Sequence, residues 1–117
     1  MDSYSPMSLI LVGQPELKDK LYKASYTAVR QRINMVCKLN NLTREETEEY
    51  IKTHLNSVGC NPDIFTLEAI DFIYEASQGS PRTINNICYQ SLISTALAKE
   101  TIIKAQLVKN VYNCELL

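Results

Sequence analysis

A mainly α-helical chain is the architecture this sequence predicts: a four-helix bundle preceded by a short remnant of two strands and one helix. Three observations lead there. The apolar pattern changes from strand-like to helical near residues 40–43, a capping box opens at Thr43, and three separate apolar stripes at helical spacing follow it. At 117 residues and 45% apolar content the chain fits one ordinary domain with a real core.

"SLILVG", Ser8 to Gly13, is a continuous apolar run closed by glycine and proline, the pattern of a strand covered on both faces. "PELKDKLYK" predicts a short helix, with Pro15 in a first-turn position, Glu16 beside it, and Leu17 and Leu21 four apart. A polar link through Ser25 and Thr27 leads to "VRQRINMVCKL", whose alternation from Ile33 to Leu39 predicts a second strand. In "TREE" the Thr43 hydroxyl and Glu46 form a capping box. The helix it opens carries Tyr50, Ile51, Leu55 and Val58 on one face and stops at Gly59.

Thr66 opens the next helix, with Leu67, Ile70, Ile73, Tyr74 and Ala76 inward and Gly79 as its stop. Ser80 as cap and Pro81 at the first position start a third helix through Ile84, Ile87, Cys88, Leu92 and Ala96. "AQLVKNVY" gives a fourth, weaker helix with Leu107, Val108 and Val111, although Lys104 is a poor residue at its start. Two interior-type strands cannot cover themselves as a sheet. Residues 1–42 therefore read as the end of a larger α/β domain, and residues 43–117 as an intact helical domain.

Twelve basic and thirteen acidic residues give a net charge of -1, which supplies no bulk footprint for nucleic acid or anionic membrane. Lys99, Lys104 and Lys109 are too few to make a DNA-recognition face. The four cysteines stand far apart, without zinc-ligand spacing, and are expected to be reduced core residues in a cytoplasmic protein. No run is long enough to span a bilayer, and no metal site is expected. His54, the one histidine, reads as a plain helix residue. There is no GxxxxGK[ST] loop, so this chain alone is not expected to hydrolyse ATP.

Arg82 stands apart. Gly79, Ser80 and Pro81 set it in the first turn of a helix, where a positive charge opposes the helix dipole unless an anion sits alongside. Arg30 and Arg32 precede the second expected strand, where a guanidinium at a sheet end suits phosphate recognition. Gln14 follows the first strand at the edge where α/β sheets place ligand contacts.

Taken in order, "LILVGQPEL", "VRQRI", "LTREETEEYIKTHL" and "FTLEAIDFIYEASQGSPRTINNIC" resemble the C-terminal half of AAA+ ATPases. The likeness is to the ExeA/GspA type, known from general secretion pathways and from ATPases of transposons and mobile elements. The resemblance implies an AAA+ lid bundle behind a truncated α/β P-loop NTPase core. It also implies that Gly79, Pro81, Arg82 and Asn85 form the sensor 2 box, whose arginine reaches ATP, and that Gln14 stands at the sensor 1 position. One of Arg30 and Arg32, with Arg32 favoured, falls near the arginine finger. Both Walker motifs are missing, so ATP and magnesium belong to the complete parent, and Met1 reads as an internal methionine.

The partners so implied are the missing Walker core, neighbouring AAA+ subunits, a transposase or secretion protein, and DNA through the parent. Self-association through the orphan strands 8–12 and 33–39 is a further expectation. The competing reading is a non-enzymatic helical module that docks a protein or DNA.

Overall fold

The computed structural model describes residues 7–115. Its helices are α1 (Pro15–Leu21), α2 (Thr27–Gln31), α3 (Arg44–Ser57), α4 (Leu67–Ser77), α5 (Pro81–Leu97) and α6 (Ala105–Glu115), with a single 3-10 turn at Ala24–Tyr26. The chain divides into two units between Lys38 and Leu39.

In the first unit, α1 forms where the proline and acidic first turn place it, with Pro15 leading and Gln14 at its cap position. Residues 24–31, expected as a polar link and lead-in to a strand, instead form the 3-10 turn and α2, and the Thr27 hydroxyl donates to the Ala24 carbonyl at 2.9 Å. Five residues are too few to show a helical stripe in the sequence. The two expected strands are corrected. Residues 8–12 and 33–39 carry no strand, and Ile10 and Val12 are 82% and 88% exposed. A strand exists only as a member of a hydrogen-bonded ladder, and apolar alternation without a neighbouring strand cannot make one. The reading of Met1 as an internal start lies outside the described residues.

The second unit is built by α3 to α6 around one core: Ile51 and Leu55 of α3, Ala69, Ile70 and Ile73 of α4, Ile84 and Ile87 of α5, and Val108 of α6, joined by Phe65 and Ile103. Each of these side chains other than Ala69 contributes roughly 2 kcal/mol by leaving water. The Thr43 capping box forms in full: the Glu46 N–H donates to the Thr43 hydroxyl (3.2 Å) and the Thr43 N–H to the Glu46 carboxylate (2.9 Å). Thr66 caps α4 by accepting from the Ala69 N–H at 3.2 Å. At one end of the bundle the loops before α4 and α6 are pinned together. The Ile103 N–H donates to the Ile64 carbonyl (2.8 Å) and the Thr66 N–H to the Ile103 carbonyl (3.0 Å), making a single parallel bridge between Phe65 and Ile103.

Three residues expected inward face solvent. Val58 follows the last turn of α3 and is 78% exposed, and Leu67, the first residue of α4, is 58% exposed. Ala96 lies one step, about 100°, off the buried stripe of α5. That stripe runs through Ile84, Ile87, Ser91 and Thr95, so two hydroxyl residues occupy core positions. Thr95 satisfies its hydroxyl by donating to the Ser91 carbonyl at 2.8 Å.

At the other end, Leu42 crosses the α4–α5 turn. The Leu42 N–H donates to the Gly79 carbonyl at 2.9 Å, and the Asn41 side-chain amide donates to the Gln78 carbonyl at 3.2 Å. A Cβ on Gly79 would lie 2.0 Å from the Leu42 carbonyl oxygen, and the residue has φ of 78°. Gly79 is thus required both by its left-handed backbone and by the passage of a second backbone.

Gly79→Ala should therefore destabilise the second unit by about 3 kcal/mol or more, since backbone must move. Gly59 has φ of 76° but open space where its Cβ would be, so Gly59→Ala should cost only about 1 kcal/mol. Urea unfolding of the two variants measures the difference, and equal losses would refute the crossing.

Candidate functional site

The turn into α5 is fixed residue by residue. α4 is closed by Gln78, the residue after its last turn, which takes left-handed φ of 53°, and Gly79 continues in the same region. The Ser77 hydroxyl accepts from the Gly79 N–H (3.2 Å), and the Ser77 carbonyl accepts from the Ser80 N–H (3.1 Å). Pro81 opens the helix, Arg82 is the second helical residue, and its side chain is exposed. Ser80 sits at the cap position with extended backbone but makes no side-chain capping bond, which corrects the expectation that it caps. The first-turn N–H groups of Arg82 and Thr83 therefore have neither an intrahelical acceptor nor a serine cap. With no acidic residue in that turn, the start of α5 concentrates positive potential around the Arg82 guanidinium.

One turn further on, the side-chain oxygen of Asn85 (Oδ1) accepts from the Tyr50 hydroxyl at 2.9 Å, tying the box to α3. Gly79, Pro81, Arg82 and Asn85 thus share one helix start. Tyr50, Asn41 and Leu42 were not singled out as parts of it. Their contacts bridge 35 or more positions of sequence, and no local spacing signals them.

The remaining candidates lie in the first unit. Gln14 is exposed at the start of α1 and makes no side-chain capping bond. Arg30 is half-buried: it donates to the Leu21 carbonyl at 3.1 Å, and its guanidinium lies 5.1 Å from the centre of the Tyr22 ring. Arg32 follows the last turn of α2 and is exposed. Arg30 is engaged locally, whereas Arg32 presents its charge to solvent.

An apolar groove of about 160 Å³ lies beside the box, between α3 and α5, lined by Tyr50, His54, Leu55, Asn85, Cys88 and Leu92. Its chemistry is packing chemistry. His54 is an exposed helix residue whose ring stands 4.3 Å from that of Tyr50. Cys60 and Cys88 pack against the core, but Cys37 and Cys114 are exposed, so only two of the four cysteines serve as core residues. Among the described residues no group of three or more His, Cys, Asp or Glu side chains is placed to hold a metal ion, and no helix is long and apolar enough to cross a membrane.

The chain is similar to general secretion pathway protein A of Aeromonas hydrophila. The two are 33% identical over 93 residues, which is 80% of this chain and 17% of the relative's length. This chain therefore corresponds to a small part of that protein. No family model matches the sequence, and no solved structure matches it.

Burial pushes the Cys88 thiol up from 9.0 to about 12. In the folded chain Cys88 should resist alkylation at pH 8, while Cys37 and Cys114 react, as mass spectrometry of iodoacetamide adducts would report. Because the folded value lies above the unfolded one, the stabilising contribution is present below pH 9 and is lost as the pH rises toward 12. A Cys88→Ala variant should lack that alkaline loss.

Proposed function

We propose that this chain is the nucleotide-sensing helical lid of an AAA+ ATPase, together with the end of its α/β core, working in a secretion or DNA-transposition assembly. The observation that carries the reading is Arg82: an exposed guanidinium on the second residue of a helix whose first-turn N–H groups lack a side-chain cap, anchored by a buried glycine. A delocalised cation beside free amide donors is an arrangement suited to a phosphate. When ATP is held in the Walker core of the parent, Arg82 would reach its phosphates, and loss of the terminal phosphate would remove the anion that holds the lid in place.

In this reading Gln14 is the sensor 1 residue, and Arg32, or alternatively Arg30, is the finger offered to a neighbouring subunit. The exposure of Arg32 and the local engagement of Arg30 support that preference. ATP and magnesium are expected in the parent and not as tight ligands of this chain. The name of the relative favours secretion over transposition. A second reading, a helical docking module without nucleotide, draws on the outward face of α5, where Tyr89 and Leu97 stand exposed.

Two measurements decide between them. Coding DNA upstream of Met1, translated in frame, should carry a GxxxxGK[ST] box and a hydrophobic strand ending in paired acids. An in-frame stop without them leaves the docking module. In the full-length parent, Arg82→Ala should lower ATP turnover by about 100-fold or more, the scale of losing one preorganised charge donor. Unchanged turnover with unchanged ATP affinity would end the sensor role.

A further inference from the structure

We propose that Asn41 and Leu42 are positioning residues for Arg82, acting through the two peptide carbonyls that precede its helix start. This inference rests on the nucleotide-sensing reading of Arg82 given above. The Asn41 amide holds the Gln78 carbonyl (3.2 Å) and the Leu42 N–H holds the Gly79 carbonyl (2.9 Å). On the other side of the same two peptides, the Gly79 and Ser80 N–H groups are held by Ser77. Pro81 then fixes its own φ, and Asn85, one turn beyond Arg82, is held by Tyr50.

The Gln78–Gly79 and Gly79–Ser80 peptides are thereby held at both carbonyl and amide, which fixes the path of the backbone from α4 into the helix that carries Arg82. Residues 41 and 42 run directly into the Thr43 cap of α3, so the crossing registers the start of α3 against the start of α5. A glycine chosen only to end α4 would need no second backbone 2.0 Å from its missing Cβ. Asn41 is exposed, and water can replace its bond to the Gln78 carbonyl, so the side chain adds little to stability. Its effect is on where the turn points.

The test has two parts. In the unmodified 117-residue chain, hydrogen exchange followed by NMR should show the Leu42 amide slowed about 100-fold or more relative to an unbonded amide. Exchange at the unbonded rate while α4 and α5 stay protected overturns the proposal. In the full-length parent, Asn41→Ala should lower ATP turnover by about tenfold, the scale of a misplaced catalytic group, with the melting temperature within about 2 °C of the parent. The same substitution in an Arg82→Ala background should have no further effect, because a residue that acts through Arg82 is silent once Arg82 is gone. Full turnover in Asn41→Ala, or an equal loss in both backgrounds, overturns the positioning role while leaving the Arg82 reading intact. If Arg82→Ala itself leaves turnover unchanged, the nucleotide reading fails and the positioning role with it, and the exchange result then describes a purely structural crossing.

Discussion

The passage of Leu42 over Gly79 is the constraint on which the arrangement of the helical unit depends. Two backbones approach as closely there as a hydrogen bond allows, which is closer than any residue with a Cβ would permit. The crossing sets where α3 begins relative to the α4–α5 turn. From that point Ile51 and Leu55 on α3 come to lie against Ile70, Ile73, Ile84 and Ile87. The far end is set by a smaller device, the bridge between Phe65 and Ile103, which holds the loops before α4 and α6 together. Helical packing supplies most of the free energy, but these two backbone contacts select one arrangement among those that would bury the same stripes.

In the proposed reading, function and packing draw on the same residues at the α5 start. The buried glycine that lets Leu42 pass also ends α4 and begins the turn toward Arg82. Asn85, three residues later, reaches back to Tyr50. Arg82 is unfavourable for the dipole of its own helix, and that helix lacks the side-chain cap that α3 and α4 both possess. Among the helices of the second unit with a described cap, the start without a side-chain cap is thus the one bearing the functional candidate.

The first unit shows where local pattern stops being sufficient. Residues 8–12 read as an interior strand because Leu9 to Val12 are all apolar, yet none of them pairs, and Leu39 at the end of the other expected strand is 92% exposed. Helices close their hydrogen bonds within a few residues, so α1 forms without a sheet beside it, and Arg30 of α2 donates to its last carbonyl at Leu21. Strands close theirs only against another segment.

The sequence by itself determined the helices of the second unit, most of their buried faces, and the isolated position of Arg82. Capping boxes, prolines at first turns and apolar spacing are local signals that act over three or four residues. It also marked Gly59 and Gly79 as helix stops, but the left-handed endings at Gln78 and Lys99 carry no glycine and were not legible. Only the tertiary structure decided that Gly79 serves a backbone crossing, that Ser91 and Thr95 occupy the core in place of Ala96, that Tyr50 holds Asn85, and that Ser80 leaves α5 uncapped. The first three depend on which distant segment lies alongside, and proximity between residues dozens of positions apart is set by the packing of whole helices, which no local spacing encodes.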